Sequence, residues 1–328
     1  MLKDEVLTIL IKQSGFLSGE EMSRKLGVSR MAVSNAVKAL RADGYRIDSV
    51  TNRGYCLTAG ADKLNAGAVY AHLPETRCET VRCFETLDST NSYLKREALS
   101  GAPSGLCAIA NEQTAGRGRS GRSFLSAPDC GVYLSMLLRP YCTPERAMTL
   151  TAHAAVAVCR AIERTAGIQP GIKWTNDIVL NGRKLCGILT EITLEGETGL
   201  IDSVVIGIGV NANNAAESFP PELREVAGSI CSESGKPVDR AALAAAMVLS
   251  LDEMAADWQK DPHAYLNAYR ERCVTTGKEV RVLRGDSERN AFALGVTESF
   301  ALLVRYDDGT EERLSSGEVS VRGLLGYQ

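Results

Sequence analysis

Apolar side chains recur at Val6, Leu7, Ile9, Leu10 and Ile11, the three-to-four spacing that predicts a helix over residues 4–13. Ser18 followed three residues later by Glu21 is a capping box, and it opens a second helix running to about Leu26. Gly27-Val28 makes a turn. Ser29 then caps a third helix, with Val33, Val37 and Leu40 on its inner face and Gly44 at its end. Two short strands follow, around Tyr45–Val50 and Tyr55–Leu57, joined by Asn52-Arg53-Gly54. Three helices and a hairpin in this order predict a winged helix-turn-helix over 1–62, with Ala59-Gly60-Ala61-Asp62 as a linker.

From residue 63 to about 270, strand-like apolar runs alternate with alanine-rich helices, most clearly over 144–166 and 239–258. That alternation predicts a mixed-sheet α+β domain. The pattern changes again over 271–328. Glu279–Leu283, Ala291–Val296, Ala301–Tyr306, Glu311–Leu314 and Val319–Val321 read as five short strands with Gly and Asp turns, the outline of a small SH3-like β-barrel. The fold class is therefore α+β multidomain.

Composition adds one asymmetry. The whole chain carries a net charge of −3, but residues 1–60 hold nine Lys/Arg against six Asp/Glu. A locally basic winged helix points to an anionic partner, DNA above all. Its third helix would offer Arg30, Ser34, Asn35, Lys38 and Arg41 to a major groove, and the wing would bring Arg53 to a phosphate. Small helix-turn-helix units also serve as protein-binding modules, and the outline is the same. The ten cysteines form no C-x-x-C pair, and Cys107, Cys159 and Cys186 lie in apolar runs, the usage of buried thiols in a reducing cytosol. Only His72, His153 and His263 are present, far apart, which argues against a histidine metal centre. The start of the chain lacks a signal-peptide pattern, and no apolar run approaches the ~20 residues of a membrane span. A cytoplasmic protein is expected.

Four segments carry candidate chemistry. Gln113-Thr-Ala-Gly-Arg-Gly-Arg-Ser-Gly-Arg122 interleaves Gly116, Gly118 and Gly121 with Arg117, Arg119 and Arg122. Alternating glycine disfavours helix and strand, and neighbouring guanidiniums repel, so the run is expected to take shape around an anion such as a phosphate. Lys173-Trp-Thr-Asn-Asp177 leads through Ile178-Val179-Leu180 to Asn181-Gly182, a two-residue hairpin signal, and on to Arg183-Lys-Leu-Cys-Gly187. An unbroken register would set Asp177 opposite Cys186 and place Asp177, Val179, Lys184 and Cys186 on one face. Asp177 and Lys184 become diagonal neighbours, able to share a ligand; an ordinary cross-strand ion pair has the same spacing. Gly207-Ile-Gly209-Val-Asn211 puts glycines into a strand, a sign of close approach by a ligand or backbone. Asp88-Ser-Thr-Asn91 supplies three small hydrogen-bonding side chains ahead of a helix starting near Ser92, and a plain helix cap would look alike.

Taken in this order, Asp88–Asn91, Gln113–Arg122, Lys173-Trp-x-Asn-Asp177, Arg183-Lys-Leu-x-Gly187-Ile and Gly207–Asn211 resemble the biotin protein ligases. The resemblance spans about residues 80–230, and the flanking units match the bifunctional bacterial form that also represses the biotin operon. It implies a central domain related to class II aminoacyl-tRNA synthetases. It also implies a reaction in which biotin and ATP, with Mg²⁺, form biotinyl-5′-AMP, followed by transfer to a lysine of the biotin carboxyl carrier protein of acetyl-CoA carboxylase. Biotin would be held by Ser89, Thr90, Asn91, Gln113, Gly116, Arg117, Gly118, Arg119, Lys184, Gly187, Gly207 and Gly209. The nucleotide would meet Arg119, Arg122, Asn176, Lys184 and Asn211. Lys184, Arg119, Asp177, Arg117 and Arg122 would act in catalysis, with Asp177 also a Mg²⁺ ligand. Operator DNA and a ligand-promoted homodimer complete the implied partners. Two positions depart from the family pattern: Thr175 stands where proline is common, and Phe124 where tryptophan is frequent. Lipoate protein ligases share the adenylate strategy, but the arginine–glycine run and the winged helix argue against them.

Overall fold

The structure, a computed structural model, describes residues 1–196, 198–261, 263–284, 287–315 and 320–323. Helices α1 (Leu2–Lys12), α2 (Gly19–Leu26) and α3 (Arg30–Ala42) precede the antiparallel hairpin β1 (Arg46–Val50) and β2 (Gly54–Ala59). Val6, Leu7, Leu10, Met22, Val33, Val37, Leu40 and Ile47 close the core of this unit. Gly27 ends α2 at φ 64, a left-handed conformation that favours glycine. Only half of the expected capping box forms. Ser18 accepts from the Glu21 amide at 3.0 Å, whereas the Glu21 carboxylate pairs with Lys25 at 3.1 Å.

Two short helices, α4 (Ala66–Ala71) and α5 (Glu75–Cys78), lead into the central unit. Helix α1 lies on α4 where Gly67 has no side chain; a Cβ there would stand 2.6 Å from the Asp4 carbonyl. The central elements are β3 (Val81–Leu87), α6 (Thr90–Leu99), β4 (Cys107–Gln113), β5 (Gly131–Leu138), α7 (Pro144–Met148), α8 (Leu150–Ala166), β6 (Gly171–Lys173), β7 (Asp177–Leu180), β8 (Arg183–Leu194), β9 (Ile201–Asn211), α9 (Ile230–Ser234), α10 (Arg240–Lys260) and α11 (Leu266–Arg272). The seven strands run in the order β3-β4-β5-β9-β8-β7-β6, with β3 and β4 parallel and every other pair antiparallel.

Both faces of this sheet are covered, and alternation sorts its side chains between them. Val132, Leu134, Met136, Val204, Ile206, Ile208 and Val210 turn into the large core shared with α8 and α10. Ala108, Leu137 and Val205 turn the other way, under Leu94 and Ala98 of α6. Gly207 and Gly209 share the parity of Val205, so the glycines of β9 lie on the α6 face.

The expected helix over 144–166 is two helices, because the chain breaks at Thr149. Its hydroxyl donates to the Arg146 carbonyl at 2.8 Å and accepts from the Trp258 indole at 2.8 Å. The C-terminal strands are β10 (Glu279–Arg284), β11 (Ser287–Val296), β12 (Leu302–Tyr306), β13 (Glu311–Leu314) and β14 (Ser320–Gly323), all antiparallel in the order β13-β12-β11-β10-β14. Val319, the expected start of the last strand, lies outside the described residues, as do 324–328. Trp174 fixes this sheet to the central unit: its indole donates to the Phe300 carbonyl and its amide to Thr275 Oγ1, each at 2.9 Å. Among the described residues, no helix is long and apolar enough to cross a membrane.

Candidate functional site

The Asn181-Gly182 turn forms with φ 50 and 77, the two positive values of the turn type that best fits strand twist. The register beyond it departs from expectation. A bulge between Ile178 and Val179 leaves Leu185 unopposed, so Asp177 faces Gly187 rather than Cys186. Ile178 faces Cys186, and both are fully buried in the core. The bulge keeps Asp177, Lys184 and Gly187 on one face. Lys184 Nζ lies 2.6 Å from Asp177 Oδ1, with the two side chains 26% and 16% exposed. A Cβ on Gly187 would stand 3.2 Å from Lys184 Nζ.

Lys184 is also held through its backbone. Its amide donates to the Val226 carbonyl at 2.8 Å and its carbonyl accepts from Gly228 at 3.0 Å. Asn211, buried at the end of β9, donates to the Gly228 carbonyl at 3.0 Å. One backbone segment, 226–228, thus joins Lys184 to Asn211.

Glycine makes the floor. A Cβ on Gly209 would be 2.5 Å from the Phe124 ring, and one on Gly207 would collide with Asn91 Oδ1. Gly116 is equally closed, its Cβ position 2.5 Å from the Phe124 carbonyl and 2.6 Å from Ser126 Oγ. The arginine–glycine run, expected to take shape around an anion, has a turn of its own. Gly118 N donates to the Arg122 carbonyl at 2.7 Å, and Phe124 N donates to the Gly116 carbonyl at 2.9 Å. Arg119 reaches the hairpin, donating to Asn176 Oδ1 at 3.0 Å, while Asn176 Nδ2 donates to the Ile188 carbonyl at 2.8 Å. Burial pushes the Arg119 guanidinium below its ordinary pKa, with Arg122 adding to the shift and Asp177 opposing it.

Helix α6 starts at Thr90, two residues earlier than expected, and Ser89 caps it by accepting from Ser92 N at 3.4 Å. Thr90 N donates to Gln113 Oε1 at 2.9 Å, and Gln113 Nε2 donates to Ser126 Oγ at 2.9 Å. Asn91 is buried, with Nδ2 donating to Glu191 Oε2 at 2.9 Å and Oδ1 lying 2.6 Å from Ser135 Oγ. Thr175 is buried as well, and its carbonyl accepts from Tyr269 Oη at 3.1 Å. Ser89, Thr90, Asn91 and Gln113 thus meet at one end of the glycine floor, and Lys184, Asp177, Asn176 and Arg119 at the hairpin beside it. Sequence reasoning passed over Ser135, Ser126 and Glu191. A single hydroxyl within the buried strand GVYLSMLL was the available signal for Ser135.

In the N-terminal unit, Arg30, Asn35 and Lys38 are exposed and Ser34 half-buried on α3. Arg53 lies over the Phe16 ring at 4.5 Å. Arg41, expected to be available to a groove, is engaged by the wing instead: its guanidinium donates to the Ile47 carbonyl at 2.9 Å and to Ser49 Oγ at 2.6 Å. Met31, which the sequence reading did not single out, is 74% exposed at the start of the same helix.

Comparison with known proteins agrees with this layout. The biotin/lipoate A/B protein ligase family matches residues 83–211, a helix-turn-helix domain 3–56, and the biotin protein ligase C-terminal domain 275–322. The bifunctional ligase/repressor BirA of Bacillus subtilis is 34% identical, over 94% of this chain and 95% of its own. That of Escherichia coli is 31% identical, over 96% of each. Among solved structures, the biotin protein ligase of Aquifex aeolicus in complex with biotin and ATP matches with a TM-score of 0.64 and 25% identity, covering 75% of this chain and 99% of that one.

Proposed function

This chain belongs to the biotin protein ligase family in its bifunctional ligase/repressor form, with a DNA-binding helix-turn-helix, and on that premise we propose how its residues divide the work. The carboxylate of biotin attacks the α-phosphorus of ATP, pyrophosphate leaves, and biotinyl-5′-AMP forms. The ε-amine of a lysine on the biotin carboxyl carrier protein of acetyl-CoA carboxylase then attacks the mixed anhydride and releases AMP.

The observation that carries this reading is the Lys184–Asp177 pair, 2.6 Å apart beside a floor that only glycine fits. Two anions must approach one another in the first step, so fixed cations are what the barrier calls for. Lys184 is placed to neutralise charge shared between carboxylate and phosphate, and Asp177 to hold that ammonium in position. Arg117, Arg119 and Arg122 serve the phosphate side from the Gly116–Arg122 run, which closes over the intermediate and keeps water from it. Gly187, Gly207 and Gly209 let the bicyclic ring lie against the backbone, with Ser89, Thr90, Asn91 and Gln113 at its ureido end. Asn176 and Asn211 face the nucleotide.

Among the described residues no three His, Cys, Asp or Glu side chains gather around a metal position. Asp177 already pairs with Lys184, and Glu233, the carboxylate at the turn end of the hairpin, is taken by Asn181 and Arg183. That donor set fits Mg²⁺ arriving on the triphosphate with most of its water retained, the ion supplying charge neutralisation there.

The same reading assigns 1–62 to the winged helix, 63–270 to catalysis and 271–328 to a small SH3-like domain, and relates the central sheet to that of class II aminoacyl-tRNA synthetases. Arg30, Ser34, Asn35, Lys38 and Arg53 face operator DNA, a ligand-promoted homodimer presents two recognition helices, and the protein works in the cytoplasm. Pyrophosphate exchange with ATP, comparing biotin with lipoate, tests the central claim. Exchange driven by biotin alone is expected, and exchange driven by lipoate alone would overturn it.

A further inference from the structure

A chain of polar groups runs beneath the site from a charged end to an uncharged one. Lys95 Nζ lies 2.9 Å from Glu191 Oε1, and Glu191 Oε2 accepts from Asn91 Nδ2 at 2.9 Å. The second Asn91 amide proton points to the Leu189 carbonyl at 3.4 Å. Asn91 Oδ1 lies 2.6 Å from Ser135 Oγ, which is 2.7 Å from Thr90 Oγ1, which in turn is 3.1 Å from Gln113 Oε1. Asn91, Ser135 and Thr90 are all at most 5% exposed.

Donor counting orients the chain. An ionised carboxylate and a peptide carbonyl only accept, so the amide NH₂ of Asn91 must face Glu191 and Leu189. Its oxygen then faces Ser135, whose single proton it takes. Ser135 has no proton left for Thr90. The Thr90 proton is within reach of both Ser135 Oγ and Gln113 Oε1; with it on Ser135, because Gln113 Oε1 already has the Thr90 amide at 2.9 Å, Thr90 Oγ1 and Gln113 Oε1 face one another as two acceptors 3.1 Å apart. Such a pair is satisfied by an N–H brought by a ligand, and a cyclic urea has two.

We propose that Glu191, paired with Lys95, is a positioning residue: being acceptor-only, it sets the proton direction along Asn91, Ser135 and Thr90 so that Thr90 and Gln113 accept a ureido N–H of biotin. The carboxyl is suited to the role. Burial pushes its pKa up, but hydrogen bonds from Lys95 and Asn91, with the charges of Lys95 and Arg117, outweigh burial and hold it below the ordinary value. The proposal rests on the biotin reading of the site.

Glu191→Gln tests it, because a glutamine can donate, lets the Asn91 amide turn over and reverses the chain. Steady-state pyrophosphate exchange on the full-length protein is measured with biotin and ATP each titrated. For Glu191→Gln, the biotin KM is expected to rise about tenfold while kcat and the ATP KM stay within about twofold, the scale of one hydrogen bond. Ser135→Ala breaks the next link and should do the same. The double variant should be no worse than the poorer single one, since both cut one chain. If Glu191→Gln fails to fold, Ser135→Ala alone carries the test by the same biotin KM, ATP KM and kcat readouts. An unmodified protein without biotin-dependent exchange would overturn the biotin reading itself. Normal exchange with an unchanged biotin KM in Glu191→Gln, an equal rise in the ATP KM, or additive losses in the double variant would overturn the proton-direction proposal alone.

Discussion

Lys184 illustrates how environment changes the worth of one contact. An exposed lysine–carboxylate pair contributes about 0–1 kcal/mol. Here both partners are mostly covered and the lysine backbone is tied on both sides, so the ammonium is preorganised toward whatever lies over Gly187. Lys184→Met should therefore lower biotin-dependent exchange by about 10²- to 10³-fold, the usual effect of removing one preorganised charge. Circular dichroism should be unchanged, and a folded variant with normal exchange would remove Lys184 from the reaction. At the cysteines the expectation concerns pH. Cys107, Cys159 and Cys186 are fully buried; burial pushes the first two to about 12 and Cys186 well above 9.0. Their raised values favour the folded state below the ordinary thiol pKa of 9.0, and that contribution fades as pH rises above it. A thiol titration at pH 8 should leave these three unlabelled until the protein unfolds, and rapid labelling of the native protein would contradict their burial. The chain sequence made Lys184, Asp177 and the glycines legible because residue type and local spacing announce them. Glu191 and Ser135 were not, since their significance lies in which side chains meet across three strands.

Element boundaries were legible where a side chain closes a local bond, as Ser29 does for α3, accepting from Ala32 N at 3.1 Å. They were not where a distant partner decides. Thr149 breaks a helix because Trp258, on another helix, needs an acceptor, and Leu185 bulges so that both it and Cys186 reach the core. The period-two rule cannot foresee a bulge, and one residue of slip exchanges the faces. The arginine–glycine run is the element with most at stake. Its turn is stitched by a few backbone bonds, and Arg119 is its side-chain tie to Asn176. Arg119→Gly removes that tie and, on the proposed reading, one fork on the adenylate phosphate. Biotinyl-5′-AMP should then dissociate faster than it is used, and bystander lysines should become labelled. Incubating the variant with biotin, ATP and an unrelated protein checks this. Labelling no greater than that of the unmodified chain would mean that the run does not retain the intermediate.

At the scale of the molecule, the expected linker is not slack. Arg240 of α10 is fully buried, and it donates to Asp62 Oδ1 at 2.8 Å, to the Asp62 carbonyl at 2.7 Å and to Asn111 Oδ1 at 2.9 Å. Asn213, two residues beyond Asn211, donates to Asp62 Oδ2 at 2.9 Å. A deletion of 1–62 therefore strips a buried guanidinium of the nearer of its two carboxylates, Asp129 staying 3.8 Å away, a loss on the scale of hydrogen bonds to a charged group, about 1.5–3 kcal/mol. Deleting 1–59 keeps Asp62. Both truncations should lose operator binding, but the shorter one should biotinylate its carrier normally and melt higher, as thermal unfolding and carrier labelling would show. Equal melting would place no weight on the Arg240–Asp62 contact. The same contact bears on regulation. Asn211 lies at the proposed nucleotide position, Asn213 holds Asp62, and α4 beyond it packs against α1 of the DNA-binding unit. On the proposed reading, a ligand that stiffens 211–213 would bias how the winged helix is held, and closure of the Gly116–Arg122 run on the same ligand would favour a second protomer. Only ~1–3 kcal/mol of coupling is needed to change occupancy from several-fold to a hundredfold. Operator affinity should rise when biotin and ATP are supplied together, in step with dimer formation followed by sedimentation. Salt must be held fixed, because phosphate contacts alone change affinity with ionic strength. Equal affinity and equal sedimentation in both states would separate repression from the adenylate and leave the winged helix answering to some other signal.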